Sequence, residues 1–573
     1  MLNFKITTNV AGQKQLETAL YGRALLSISQ INKGTAFTYE ERREFNLLGK
    51  LPSQIETLEE QIQRVYLQYK ACPDQLAKNT YLNNILNHNQ VMFYRLVKEH
   101  IEEMLPTIYT PVVGNAVQAF SKKYAGPRGL YISFQDQDHI EEILDNRTNP
   151  LVDLIVVSDG EGVLGIGDQG IGAMAIPVAK LMVYTAFGKI DPLNTLPILL
   201  DAGTNNQELL NDPMYLGWRH PRISGREYEI FIEKFVNALK KKMPQVFLHW
   251  EDFGRSNAYR NLIEYRKSMC AFNDDIQGTG VVALATLLAA IRRTKTSLQD
   301  QRIIVFGAGS AGMGITHNIF KALVRSGLSE TEARKRIWLV DRQGLLTQNV
   351  SDITEAQEAY VRPQDEIANW QLKDPNYISL LEAVNHIHPT VLIGASACPH
   401  AFTQEIVQTM AQHCERPIIL PLSNPTEKCE ANPSDLIQWT DGKVICATGS
   451  PFDPVTYKGK TYPISQCNNY LSFPGIGLGV IAVKAQRLTN DMLWAATKAL
   501  SEFVEDESEY LLPTIAHAPE ASKKIAIAVA TQAVADGLAG VEITDSIENL
   551  VEQQRWEPEY LPYKRIEGPI ELN

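Results

Sequence analysis

The chain has 573 residues, 44% hydrophobic and 21% charged, an ordinary globular composition on a length beyond what one hydrophobic core organises, so two or more domains are expected. Lys and Arg number 54 against 66 Asp and Glu, a net charge of −12 that argues against nucleic acid or an anionic membrane as the main partner and for small-molecule chemistry. The seven cysteines (72, 270, 398, 414, 429, 446 and 467) show no CxxC and no zinc-like spacing. Reduced thiols and a cytoplasmic location are therefore expected. Met1 to Ile6 opens no signal-peptide pattern, and no uninterrupted apolar stretch approaches the roughly 18 residues of a membrane helix.

In chain order, the first hundred or so residues read as helical. Between Leu51 and Tyr69, apolar residues recur at Ile55, Leu58, Ile62, Val65, Tyr66 and Tyr69, the spacing of one buried helix face. Pro106 ends the next helical pattern, and Tyr109-Thr110-Pro111 is a turn leading into another. From Leu151 to Leu210 the texture changes to short β-rich runs punctuated by glycine, such as Leu154 to Val157 and Pro197 to Leu200, which predict a parallel α/β layer. From Ser297 to about Ala482, strand-like runs alternate with helical segments, as a doubly wound sheet requires. The remainder is helical and ends in a tail, Trp556 to Asn573, with no core of its own.

Two acidic pairs stand out, Glu251-Asp252 between aromatic residues and Asp274-Asp275 at the mouth of the apolar run from Val281 to Ile291. Adjacent carboxylates repel and desolvate badly, so a cation must compensate them there. All four are hard oxygen donors suited to Mg²⁺ or Mn²⁺; helix caps and surface acids are the bland alternatives. Downstream, Ile303 to Phe306 leads into Gly307-Ala308-Gly309-Ser310-Ala311-Gly312, a GxGxxG loop after a strand and before a helix. Its backbone N–H groups and helix N-terminus would hold a pyrophosphate, and Asp341, ending the next strand, would accept from the adenosine ribose. That acid favours NAD over NADP, although Arg342 beside it could meet a 2′-phosphate. A metal and a nucleotide are thus expected to face each other.

Lys180 is the one charge on a strongly apolar helix. It either snorkels to water or, if buried, has its pKa lowered toward neutrality and serves as a general base. Tyr109 is a packing residue unless it faces the same cleft, where it could act as an acid. Asn424 and Asn468-Asn469 are ordinary turn signals, yet loops after the strands of a doubly wound sheet face its ligand crevice.

These segments, from Tyr109-Thr110-Pro111 through Ile176 to Lys180, Asp201 to Asn206, Glu251-Asp252-Phe253, Phe272 to Thr279, Leu422 to Thr426 and Phe473-Pro474-Gly475, resemble the malic enzymes, in that family's order and over about residues 30 to 560. The resemblance implies a multi-domain α/β protein. Its parts would be a helical N-terminal region (1–84), a parallel α/β substrate and metal domain (85–278), a Rossmann-like NAD domain with helical extension (279–540) and a C-terminal tail (541–573). It implies oxidative decarboxylation of L-malate to pyruvate and CO₂ with reduction of NAD, oxaloacetate being a further substrate, in a homodimer or homotetramer. Glu251, Asp252 and Asp275 would hold Mn²⁺ or Mg²⁺. Lys180, supported by Asp274, would take the C2 hydroxyl proton, and Tyr109 would protonate C3 of enolpyruvate. Asn424 and Asn468 would contact malate or the nicotinamide.

One departure marks this chain. Many family members carry an arginine where Gly162 stands, so a bidentate carboxylate clamp is lost here. Malolactic enzymes, which keep the NADH and return its hydride to give L-lactate, are the close alternative: His249 to Asn257 looks more like them, whereas Thr110 and Gly170-Ile171-Gly172 look more like malic enzymes.

Overall fold

The computed structural model describes residues 4–568 except 10, 164, 375, 506 and 507. The last residues of the expected tail, 569–573, and Leu164 of the segment containing Gly162 therefore lie outside the described residues. The chain divides into two compact units: Met1–Gly160, Asp168–Val246 and Gln554–Asn573 form the first, Glu161–Gly167 and Phe247–Gln553 the second.

In the first unit, β1 (Phe4–Thr8) and β2 (Lys14–Thr18) form an antiparallel hairpin. The C-terminal strand Tyr563–Arg565 adds to β2 in parallel, so the tail contributes a strand of its own. Tyr563 sets its ring edge-on against Phe37 and Phe45, both fully buried, and tops a small core with Leu25, Ile31 and Leu47. The helix expected from Leu51 begins at Leu58, because Thr57 and Glu60 form a capping box that fixes its start. Its buried face is Leu58, Gln61, Ile62, Val65 and Tyr69; Tyr66 instead reaches Glu103 through its hydroxyl at 2.8 Å. The α/β layer is present: β3 (Leu130–Ser133) and β4 (Leu154–Ser158) both pair in parallel with β5 (Thr195–Asp201). All five residues of β4 are buried, as a strand covered on both faces must be.

In the second unit, β6 (Phe247–Trp250) pairs in parallel with β7 (Ala271–Asn273). The doubly wound sheet includes β8 (Ile303–Phe306), β9 (Ile337–Asp341), β10 (Gly344–Leu345), β11 (Val391–Gly394), β12 (Ile418–Pro421) and β13 (Ile445–Thr448). Outside it a hairpin, β14 (Val455–Tyr457) and β15 (Lys460–Tyr462), precedes β16 (Ser465–Gln466), and the sheet order is β10-β9-β8-β11-β12-β13-β16. Only β10 runs antiparallel. Strand order reverses between β8 and β11, the place where such sheets bind ligands at their carboxyl ends. Ile304, Leu392 and Ile419 from three neighbouring strands are fully buried on one core with Val384, Val407 and Leu436, each contributing about 1.5–3 kcal/mol.

Two helices, Gly170–Gly188 and Asp274–Thr294, are long and apolar enough by composition to cross a bilayer, but 83% of each such window is buried in the fold. They are core helices, and they carry Lys180 and the second acidic pair.

Candidate functional site

Parallel pairing of β6 with β7 sets Trp250 opposite Asn273, so the acids that follow each strand emerge side by side. Ligand oxygens of Glu251, Asp252 and Asp275 lie within 4.8 Å of one another, and the four acids of the two pairs are 3%, 3%, 8% and, for Asp274, 0% exposed. Carboxylates buried this close need positive charge among them. Asp252 takes a left-handed backbone conformation (φ 56°), and its N–H donates to Asp275 Oδ2 at 2.9 Å, which ties the two loops together. A second set, His249, Glu251 and Asp274, shares Glu251. His249 Nε2 lies 2.6 Å from Glu251 Oε2 and fixes that carboxylate. The all-oxygen set is the one that fits Mn²⁺ or Mg²⁺. Asp274 stands apart from it by its partner: Asn469 Nδ2 donates to Asp274 Oδ2 at 2.9 Å.

The helix expected at Gly278-Thr279 is present as Thr279–Thr294, entered through a π-turn, Asp274–Gly278. Such wide turns recur at functional sites because they redirect side chains out of register. A Cβ on Gly314, in the helix Ser310–Arg325 that follows the glycine loop, would stand 2.3 Å from the Ile276 carbonyl oxygen. Only glycine lets that helix approach the turn that carries Asp274 and Asp275.

Around the loop, Gly307 leaves β8, Asp341 ends β9, and Ala395-Ser396 and Ser423-Asn424 leave β11 and β12, all at the same sheet edge. Gly309 caps the helix without any side-chain hydrogen bond, leaving the first-turn N–H groups of Ser310, Ala311 and Gly312 directed at the crevice. These residues fit a dinucleotide. Glu430, fully buried, accepts from Ser396 N, Ser396 Oγ and Ser423 Oγ and so holds the two far loops in register. Asn424 Oδ1 accepts from Ser450 Oγ at 2.6 Å.

In the first unit Lys180 is 3% exposed, so it does not snorkel, and its Nζ lies 5.3 Å from the centre of the Tyr109 ring. Tyr109 follows the helix Ile101–Ile108 as its C-cap and is itself buried beside Lys180. The helix carrying Lys180 is anchored through its leading turn. Asp168 accepts from Arg222 Nη2 and Nε at 2.8 and 3.0 Å and from Thr204 at 2.9 Å, while Tyr215 accepts from Ile171 N at 3.0 Å. Burial alone would raise the Asp168 carboxyl, but the Arg222 guanidinium outweighs it and holds the pKa below the usual carboxylate value.

Residues 86–266 match the family described as "Malic enzyme, N-terminal domain" and residues 276–534 "Malic enzyme, NAD binding domain". The chain is 49% identical to an NAD-dependent malic enzyme of Aliivibrio salmonicida, over 95% of this chain and 97% of that one, and 50% identical to one of Sodalis glossinidius with the same coverage. The chain belongs to the malic enzyme family. The fold agrees: a malic enzyme of Entamoeba histolytica superposes with a TM-score of 0.55 at 24% identity, covering 89% of this chain and 90% of that one. One from Pyrococcus horikoshii gives 0.53 at 23% identity, covering 79% and 88%.

Within the malic enzyme family, Gly162 now has a physical account. Its N–H donates to the Asp252 carbonyl at 2.9 Å, and a Cβ there would stand 2.7 Å from the Phe253 carbonyl oxygen. The loop is drawn onto the acidic segment too closely for any side chain. The contacts of two residues named in the sequence were not read from it. Asn469, not its neighbour Asn468, reaches Asp274; Asn468 accepts from Tyr470 N at 3.3 Å and shapes the turn. His249 was read only as part of a segment, and alternation along β6 could have placed it on the same strand face as Glu251.

Proposed function

We propose that this chain catalyses the divalent-metal-dependent oxidative decarboxylation of L-malate to pyruvate and CO₂ with reduction of NAD, and decarboxylates oxaloacetate. The single observation that carries this reading is the near-half identity to NAD-dependent malic enzymes along 95% of the chain, with every acid, lysine and tyrosine of the chemistry in place. The relatives at this identity are malic enzymes, so the malolactic alternative is not favoured.

Glu251, Asp252 and Asp275 would hold Mn²⁺ or Mg²⁺, and the glycine loop with Asp341 would hold NAD. When bound, the ion supplies a Lewis acid for the oxygens of the acid and NAD a hydride acceptor. Lys180, buried beside Tyr109, takes the proton of the C2 hydroxyl. Asn469 fixes the Asp274 carboxylate. Tyr109 delivers a proton to C3 once CO₂ has left. Asn424, held by Ser450, and Asn468 orient malate and the nicotinamide. The working form is a homodimer or homotetramer in the cytoplasm, in keeping with seven cysteines that form no disulfide.

Purified protein given malate, NAD and Mn²⁺ should generate NADH absorbance that EDTA abolishes. Metal-independent turnover, or none, would remove the assignment.

A further inference from the structure

Arg255 begins the helix Arg255–Tyr265, three residues after Asp252, and its side chain is exposed. A cation in the first turn of a helix faces the positive end of the helix dipole, so this residue does not stabilise its own element. It makes no ion pair or hydrogen bond with a described residue. Glu161, the acid beside the same turn, is instead engaged by Asn257 Nδ2 at 2.9 Å. The guanidinium lies over the nucleotide loop: Nη2 is 2.9 Å and Cζ 3.4 Å from where Gly309 would carry a Cβ. Two positive features thus converge, the N-terminus of the helix Ser310–Arg325, which has no side-chain cap, and a guanidinium paired with no acid among the described residues.

We infer that Arg255 is a cofactor-binding residue that grips the pyrophosphate of NAD from beside the glycine loop. The planar fork matches two phosphate oxygens, and the loop N–H groups take the remainder. Because Arg255 and the metal ligand Asp252 share one short segment, the grip on the cofactor is mechanically continuous with the acids. The inference rests on the NAD reading above and adds to it a residue from outside the glycine motif.

The test is binding rather than turnover. NADH fluorescence titration of the whole protein, with ADP-ribose and adenosine as competitors, should show Arg255→Gln weakening NADH and ADP-ribose by about tenfold or more, the loss expected for a charge-assisted pair. Adenosine, which lacks the pyrophosphate, should compete as before, Arg255→Lys should keep part of the affinity, and added salt should weaken wild-type binding more than the variant's. Unchanged NADH affinity in Arg255→Gln would overturn the assignment. So would an equal loss for adenosine, which would mean a collapsed loop, or a raised malate KM with NADH affinity intact, which would give the guanidinium to the acid instead. Failure of the wild type to bind ADP-ribose would sink the NAD reading itself, and that outcome is distinct from all of these.

Discussion

Lys180 Nζ stands 5.3 Å from the centre of the Tyr109 ring, with both side chains buried in the same unit. A base and an acid this near each other can serve successive proton transfers only if they act at different steps. Lys180→Ala should abolish malate oxidation, a loss of at least about 10²–10⁴-fold for a general base, and a small amine should restore part of it. Tyr109→Phe should also slow overall turnover, yet should spare reduction of supplied oxaloacetate, which needs no proton at C3. Equal damage to both reactions would reassign Tyr109.

The acidic cluster makes a prediction from charge. Asp275→Asn keeps size but removes an anionic ligand and weakens the acceptor for the Asp252 N–H. Mn²⁺ affinity, followed by the electron paramagnetic resonance signal of free Mn²⁺, should fall by more than about 100-fold, since losing even a hydrogen-bond partner of a ligand costs about 10–100-fold. The circular dichroism spectrum should be unchanged. Retained affinity would remove Asp275 from the site.

Asp341 ends β9 at the sheet edge where the ribose of a nucleotide would lie, with its Oδ1 accepting from Arg342 N at 3.0 Å. A carboxylate there repels a 2′-phosphate, so kcat/KM should favour NAD over NADP, and Asp341→Ser should narrow that preference by roughly tenfold or more. Equal use of both cofactors by the wild type would show that Arg342 decides instead.

How much of this could be read from the residues alone follows from the range of the forces involved. The acid pairs, the glycine loop and Lys180 are local patterns, and the elements that carry them, a strand-to-helix loop and apolar helices, are those that their segments predict. The start of the helix at Leu58 is also local, but the capping box of Thr57 and Glu60 competes with the apolar periodicity that runs back to Ile55, and the cap wins. What escaped is long-range. Asn469 meets Asp274 across 195 residues, and Gly314 is glycine because of a carbonyl at Ile276. Neither spacing leaves a mark in the sequence. Gly162 could be noticed only as a departure until the Phe253 carbonyl explained it.

Stability should report on Asp191, outside the chemistry. Burial, aided by the charge of Asp153, raises its carboxyl to about 6 although the Leu193 N–H pulls the other way. The folded state therefore keeps a proton that the unfolded chain has already lost. This contribution is fully present below about pH 4 and is lost as pH rises to about 6, at roughly 1.4 kcal/mol per unit. Asp191→Asn, which can still accept from Leu193 N, should flatten that dependence and raise the melting temperature at pH 7. A lower melting temperature at pH 7 would show that the ionised carboxylate is a net stabiliser.

The central claim is the net reaction. Malic and malolactic chemistry share proton removal, hydride transfer and decarboxylation, and they part only in whether NADH leaves before the hydride can return to pyruvate. Release depends on opening of the site between steps, which no side chain described above encodes. With malate, NAD and Mn²⁺ supplied, NADH absorbance and pyruvate should appear in equal amounts, each matching the malate consumed. Stoichiometric L-lactate, with NAD required only in catalytic quantity and no NADH absorbance, would contradict the account.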